Sequence, residues 1–193
     1  MTRSEMLEIH DRLKENKFRE NLELNIKYAN GYCTQMKKLL QSFWEVVKQT
    51  QKEDSENPLA KISWNFYHDY MATIVTISNY SNCITDDNFY ERIKKYTNIS
   101  RSKKEDIEII TEEFEEMEIY FQYLHRYLET GFMDHLAYWY RGVLVEYAYD
   151  FETNEYIPNE VLKYKDEDTK KYYTNAKLRE VFPQLERKEE KEL

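Results

Sequence analysis

The chain has 193 residues, a length that fits one domain, and contains three Gly, three Pro, two Cys and 18 Tyr. So few Gly and Pro cannot supply the turns of a sandwich, a barrel or a doubly wound fold. The three glycines, Gly31, Gly131 and Gly142, stand too far apart for a phosphate-cradling loop. The net charge of −9 is uneven: residues 1–101 carry +1, residues 102–158 carry −10, and residues 159–193 are neutral.

That distribution argues against nucleic acid as a ligand of the acidic stretch, because such a surface must neutralise phosphates. It points instead to a basic protein partner or a solvated face. The longest apolar run, 71–77, is interrupted by Thr73 and Thr76 and falls far short of the about 20 residues of a membrane span. The first 50 residues are dense in charge, unlike a secretory signal. Cys33 and Cys83 lack the spacing of a zinc site or a disulfide framework and fit a reducing cytoplasm as small core residues. Lys, Asn, Tyr and Ile are frequent, the bias of an AT-rich genome such as that of a bacterium, its phage or another mobile element. The Tyr content predicts a thin, aromatic core, wet at its edges.

Leu7, Leu13 and Phe18 are sparser and suggest a separate or fraying first helix. From Leu22 the apolar positions run Leu22, Ile26, Ala29, Cys33, Met36, Leu40, Phe43, Val47, one stripe at helical spacing. The stripe keeps its phase across Asn30-Gly31, which predicts one long helix through that dipeptide. Residues 54–58 form a loop in which Asn57 caps and Pro58 opens the next helix. That helix carries Leu59, Ile62, Phe66, Tyr70, Ile74 and Ile77 and fades near residues 79–82. Thr85, Asp86 and Asp87 cap a short helix through Phe89, Ile93 and Tyr96.

Ser102 and Glu105 form a capping box. It opens a helix with Ile107, Ile110, Phe114, Met117, Phe121, Leu124 and Leu128 along one seam, ended by a left-handed cap at Gly131. Leu136, Tyr140, Val143 and Tyr147 fit a further helix capped by Asp134. Together these predict an antiparallel helical hairpin over 102–149. A polar loop precedes Pro158, and one or two short helices follow it. The expected fold is all-α: an irregular bundle of five to seven helices around that central hairpin. It spans 1–183 as a single helical domain, with a charged tail at 184–193 expected to be disordered.

Three constellations bear on function. Eight acids fall between Glu105 and Glu118, and Glu108, Glu112 and Glu116 are spaced four apart, so their side chains adjoin. Each such like-charge pair costs a few tenths of a kcal/mol, and beyond the first turn the helix dipole offers no return. Glu108, Glu112, Glu113, Glu115 and Glu116 therefore form either a solvated face or a docking surface for a Lys/Arg-rich partner. Tyr138, Trp139 and Arg141 form either the aromatic edge of that surface, with Trp139 as an exposed anchor, or a set of side chains covered by a neighbouring helix. Arg141 is also expected to pair with Asp134, Glu146 or Asp150.

Arg3 and His10 have the Arg-x6-His spacing that resembles helical ribonucleases cutting RNA between two subunits. At the chain start His10 is expected to be solvent-exposed. His125, between Leu124 and Leu128, is expected to hydrogen-bond between helices. No Glu-x-x-His pair occurs, so no metal site is expected. Ser42, Ser63 and Ser78 fall inside helices with no strained elbow and neither Cys has a His near it in sequence, so no catalytic residue and no cofactor are expected. The leading expectation is a non-enzymatic, cytoplasmic interaction or regulatory protein acting through the acidic, aromatic-edged face. A phage or mobile-element inhibitor fits the size and bias, and a homo-oligomer is compatible with it. The alternatives are the dimeric ribonuclease and a small-molecule-binding bundle with a Tyr-rich pocket.

Overall fold

A computed structural model describes residues 1–15, 20 and 22–185. Phe18 and most of the charged tail, 186–193, lie outside the described residues. The first helix, α1 (Arg3–Glu15), is separate. A short α2 (Leu22–Asn25) tightens to a 3-10 turn, Ile26–Tyr28, and opens into α3 (Ala29–Glu53). The helix runs unbroken through Asn30-Gly31, and its stripe Ala29, Cys33, Met36, Leu40, Phe43 and Val47 is buried, as the spacing requires.

Asn57 accepts from the Leu59 N–H and Pro58 opens a segment, but that segment is a single 3-10 turn, Pro58–Lys61. The main helix α4 (Trp64–Thr85) starts at a second cap, Ser63, and runs past the predicted end to Thr85. α5 (Phe89–Tyr96) follows. α6 (Lys103–Thr130) has both arms of the capping box: Ser102 Oγ accepts from the Glu105 N–H at 3.2 Å, and Glu105 Oε2 accepts from the Ser102 N–H at 2.7 Å. Gly131, at φ 76, closes it in the left-handed region.

The expected all-α fold is overturned beyond this point. Residues 135–164 form a three-stranded antiparallel sheet in the order β1 (His135–Tyr140), β2 (Val143–Asp150), β3 (Glu155–Tyr164). There is therefore no helical hairpin over 102–149. Arg141 and Gly142 both have positive φ, 48° and 83°, and join β1 to β2 as a two-residue loop of the kind whose twist matches paired strands. Val143, Val145, Tyr147 and Tyr149 alternate inward along β2. The 4-3-4 spacing of Leu136, Tyr140, Val143 and Tyr147 agreed with a helix by coincidence. A β-branched and aromatic composition at period two, around a Gly that would weaken a helix, was the competing signal. Pro158 sits in the edge strand β3, where a missing N–H is tolerated, beside one of two register shifts. Two short helices, α7 (Glu167–Tyr172) and α8 (Asn175–Val181), follow.

The core lies among α3, α4 and α6, with α1 against α3 and α6 and the sheet reached through β1. Its centre is a chain of rings: Phe43, Phe66, Tyr70, Tyr120 and Tyr127, with centroids 4.9–6.1 Å apart. This core is drier than expected. Tyr70 and Tyr120 are fully buried and their hydroxyls have no hydrogen-bond partner. Phe114, Met117 and Leu124 are buried in one seam, but Phe121 is only half-buried.

Candidate functional site

α6 is amphipathic, so its charged face must meet something other than the aromatic core. Over one turn it meets the sheet. Glu112, Glu113, Glu115 and Glu116 line a cleft of about 590 Å³ together with Asp69 and Thr73 of α4, Trp139 of β1, Gly142 of the hairpin, and Lys163 and Lys165. β1 is an edge strand, and Asp69 Oδ2 accepts from its otherwise unpaired Trp139 N–H at 2.6 Å. Trp139 Nε1–H donates to Glu116 Oε2 at 3.2 Å, and Lys163 Nζ reaches Glu116 Oε1 at 3.5 Å. Glu116 is thereby held at 8% exposure at the bottom of the acidic face.

Glu113 lies beside it. Burial, then the Glu116 carboxylate, push its carboxyl up to about 7; Thr73 and Lys163 pull the other way, and Glu112 adds to the rise. Five carboxylates against two lysines leave this cleft short of positive charge. The arrangement can hold a cation, and Glu113 would give up its proton to do so.

The structure thus brings together Glu112, Glu113, Glu115, Glu116 and Trp139 of the expected face, and leaves out three others. Glu108 is exposed and pairs with Lys104 on the helix surface at 3.8 Å. Tyr138 stacks on Tyr147 at 4.2 Å. Arg141 occupies the hairpin tip, its guanidinium over the Tyr140 ring and its carbonyl accepting from Tyr173 Oη at 3.1 Å. The expected partners of Arg141 are engaged elsewhere: Asp134 with Arg126, Glu146 with Tyr123 and Asn159, Asp150 with Glu152 and Thr153. Trp139 is half-buried and hydrogen-bonded; the Trp that stands out, at 55% exposure, is Trp64. Sequence reasoning missed Asp69, Thr73, Lys163 and Lys165, because no local pattern ties them to α6.

A second polar group sits on the α1–α6 seam. His10 is 3% exposed, so the expectation of a surface residue is corrected, and burial lowers its pKa. His125 bridges helices as expected: its Nδ1 lies 3.2 Å from His10 Nδ1. Asp11 completes the one set of metal-ligating type among the described residues, with donor atoms within 4.8 Å of one another. Arg3 packs over Gly131 at the far end of α6, away from His10 beside Phe121. A cleft of about 850 Å³ opens on His10 and His125, lined also by Tyr32, Phe114, Met117 and Phe121.

Compared with family models, curated proteins and solved structures, the chain matches none. Among the described residues no helix is long and apolar enough to cross a membrane.

Proposed function

We propose that the chain is a non-enzymatic interaction protein of the cytoplasm, a regulator that docks on a protein partner with a basic surface. The partner's Lys or Arg side chain enters the cleft between α4, α6 and the β1–β2 hairpin. Glu112 and Glu115 at the rim steer the encounter, and Glu113 and Glu116 receive the cation against the Trp139 ring. The observation that carries this reading is the charge deficit of the cleft. A carboxyl pushed up to about 7 by burial and a neighbouring carboxylate is a site that an entering cation relieves.

Titration with an arginine-rich peptide tests it, followed through the Trp139 indole N–H resonance. The reading predicts saturable binding that weakens as salt rises, and at least tenfold weaker binding to the Glu112→Lys/Glu115→Lys protein. Both positions are exposed, so that variant keeps its fold. An unmoved Trp139 resonance, or equal affinity of the two proteins, would contradict it.

A further inference from the structure

Three lone-pair atoms converge where α1 crosses α6. His10 Nδ1 and His125 Nδ1 are 3.2 Å apart, and Asp11 Oδ1 stands 3.5 Å from the first and 3.9 Å from the second. A single proton joins only one pair of this triangle at a time. His125 Nε2 is 3.1 Å from Glu129 Oε1, one turn along α6, a charge pairing that favours the proton on Nε2 and turns Nδ1 toward the triangle as a donor of its lone pair. Asp11 contributes only acceptors. His10 Nδ1 can place one proton between itself and one of two waiting acceptors. Its Nε2 is buried without a hydrogen-bond partner in either tautomer. One cation serves all three atoms at once.

The dimensions select the kind of cation. Donors on one face of a tetrahedral zinc site, at about 2.0–2.1 Å from the metal, lie about 3.4 Å apart; an octahedral site would bring them to about 3.0 Å. The observed sides, 3.2, 3.5 and 3.9 Å, lie around the tetrahedral spacing and above the octahedral one. We propose that His10, Asp11 and His125 bind one Zn²⁺ ion, with Glu129 orienting His125 from the outer shell. The carboxylate–histidine–metal relay is the usual support for such a ligand. Three protein donors leave a fourth position open, and a cleft of about 850 Å³ borders His10 and His125. The ion would tie α1 to α6, two segments more than 100 residues apart in the chain. The site lies nine residues along α6 from Glu116, so its fate is independent of the acidic cleft.

The test is calorimetric titration of the whole chain with Zn²⁺ after treatment with a chelator, with Co²⁺ as a spectroscopic substitute. One ion per chain, a raised melting temperature and the intense visible absorption of four-coordinate Co²⁺ are expected. Glu129→Gln should weaken binding roughly 10–100-fold while the protein stays folded. Asp11→Asn and His125→Gln, at ligands that are partly exposed, should each weaken it further than that. Absence of binding to the wild-type chain would overturn the proposal. So would binding that survives His125→Gln, or a six-coordinate Co²⁺ spectrum.

Discussion

Glu113 and Glu116 are three residues apart on one helix and meet different fates. Glu116 is fixed by Trp139 and Lys163. Glu113 keeps a proton that the unfolded chain has lost between pH 4.5 and about 7. The folded state therefore binds more protons in that window, and Glu113 withdraws stability as pH rises through it. Glu113→Gln removes the ionisable group. The variant should be more stable than wild type at pH 7–8, with the difference vanishing near pH 4.5, as denaturant midpoints across pH would record. Two hydroxyls pose a simpler question. Tyr70 and Tyr120 bury oxygens that nothing satisfies, so Tyr120→Phe and Tyr70→Phe should each leave stability unchanged or raise it by up to about 1 kcal/mol. A loss above about 1 kcal/mol on melting would mean that a partner holds the hydroxyl. Little of this was legible in the sequence. The acidic run marked the helix face, but which Glu turns inward depends on Thr73 and Lys163, 40 and 50 residues away from Glu113.

The helices were legible because their signals are local. Asn57, Ser102 and Gly131 cap where their chemistry places them, and the α3 stripe repeats every three or four residues. α3 also carries its one defect openly. A Cβ at Gly31 would meet nothing within 4 Å, so Gly31→Ala should stabilise by up to about 1 kcal/mol. The sheet was not legible by helical spacing, because four apolar residues happened to fit both periods. The deciding pair is Arg141-Gly142, both at positive φ. A Cβ on Gly142 would come within 3.1 Å of Thr169 and strain the turn, so Gly142→Ala should destabilise by more than about 1 kcal/mol. An unchanged melting temperature for Gly142→Ala would argue against this turn.

At the scale of the molecule, α6 divides its surface between a core, a cleft and the seam with α1. Leu124 is fully buried, and Leu124→Ala should cost about 2–5 kcal/mol by equilibrium unfolding. The acidic cleft, by contrast, exists only once α4, α6 and the sheet are assembled, which is why composition showed an acidic stretch but could not outline the cleft. On a helix Trp139 would be an exposed anchor or lie under a neighbour; on strand β1 it is a wall of the cleft, tied to both Asp69 and Glu116. The central claim is that a cation from a basic partner completes this cleft. The most direct measurement is the carboxyl ¹³C titration of Glu113 with and without a saturating arginine-rich peptide. The account predicts a midpoint near pH 7 in the free chain that falls toward the ordinary carboxylate range when the peptide is bound. A Glu113 midpoint that the bound peptide leaves unmoved would contradict it.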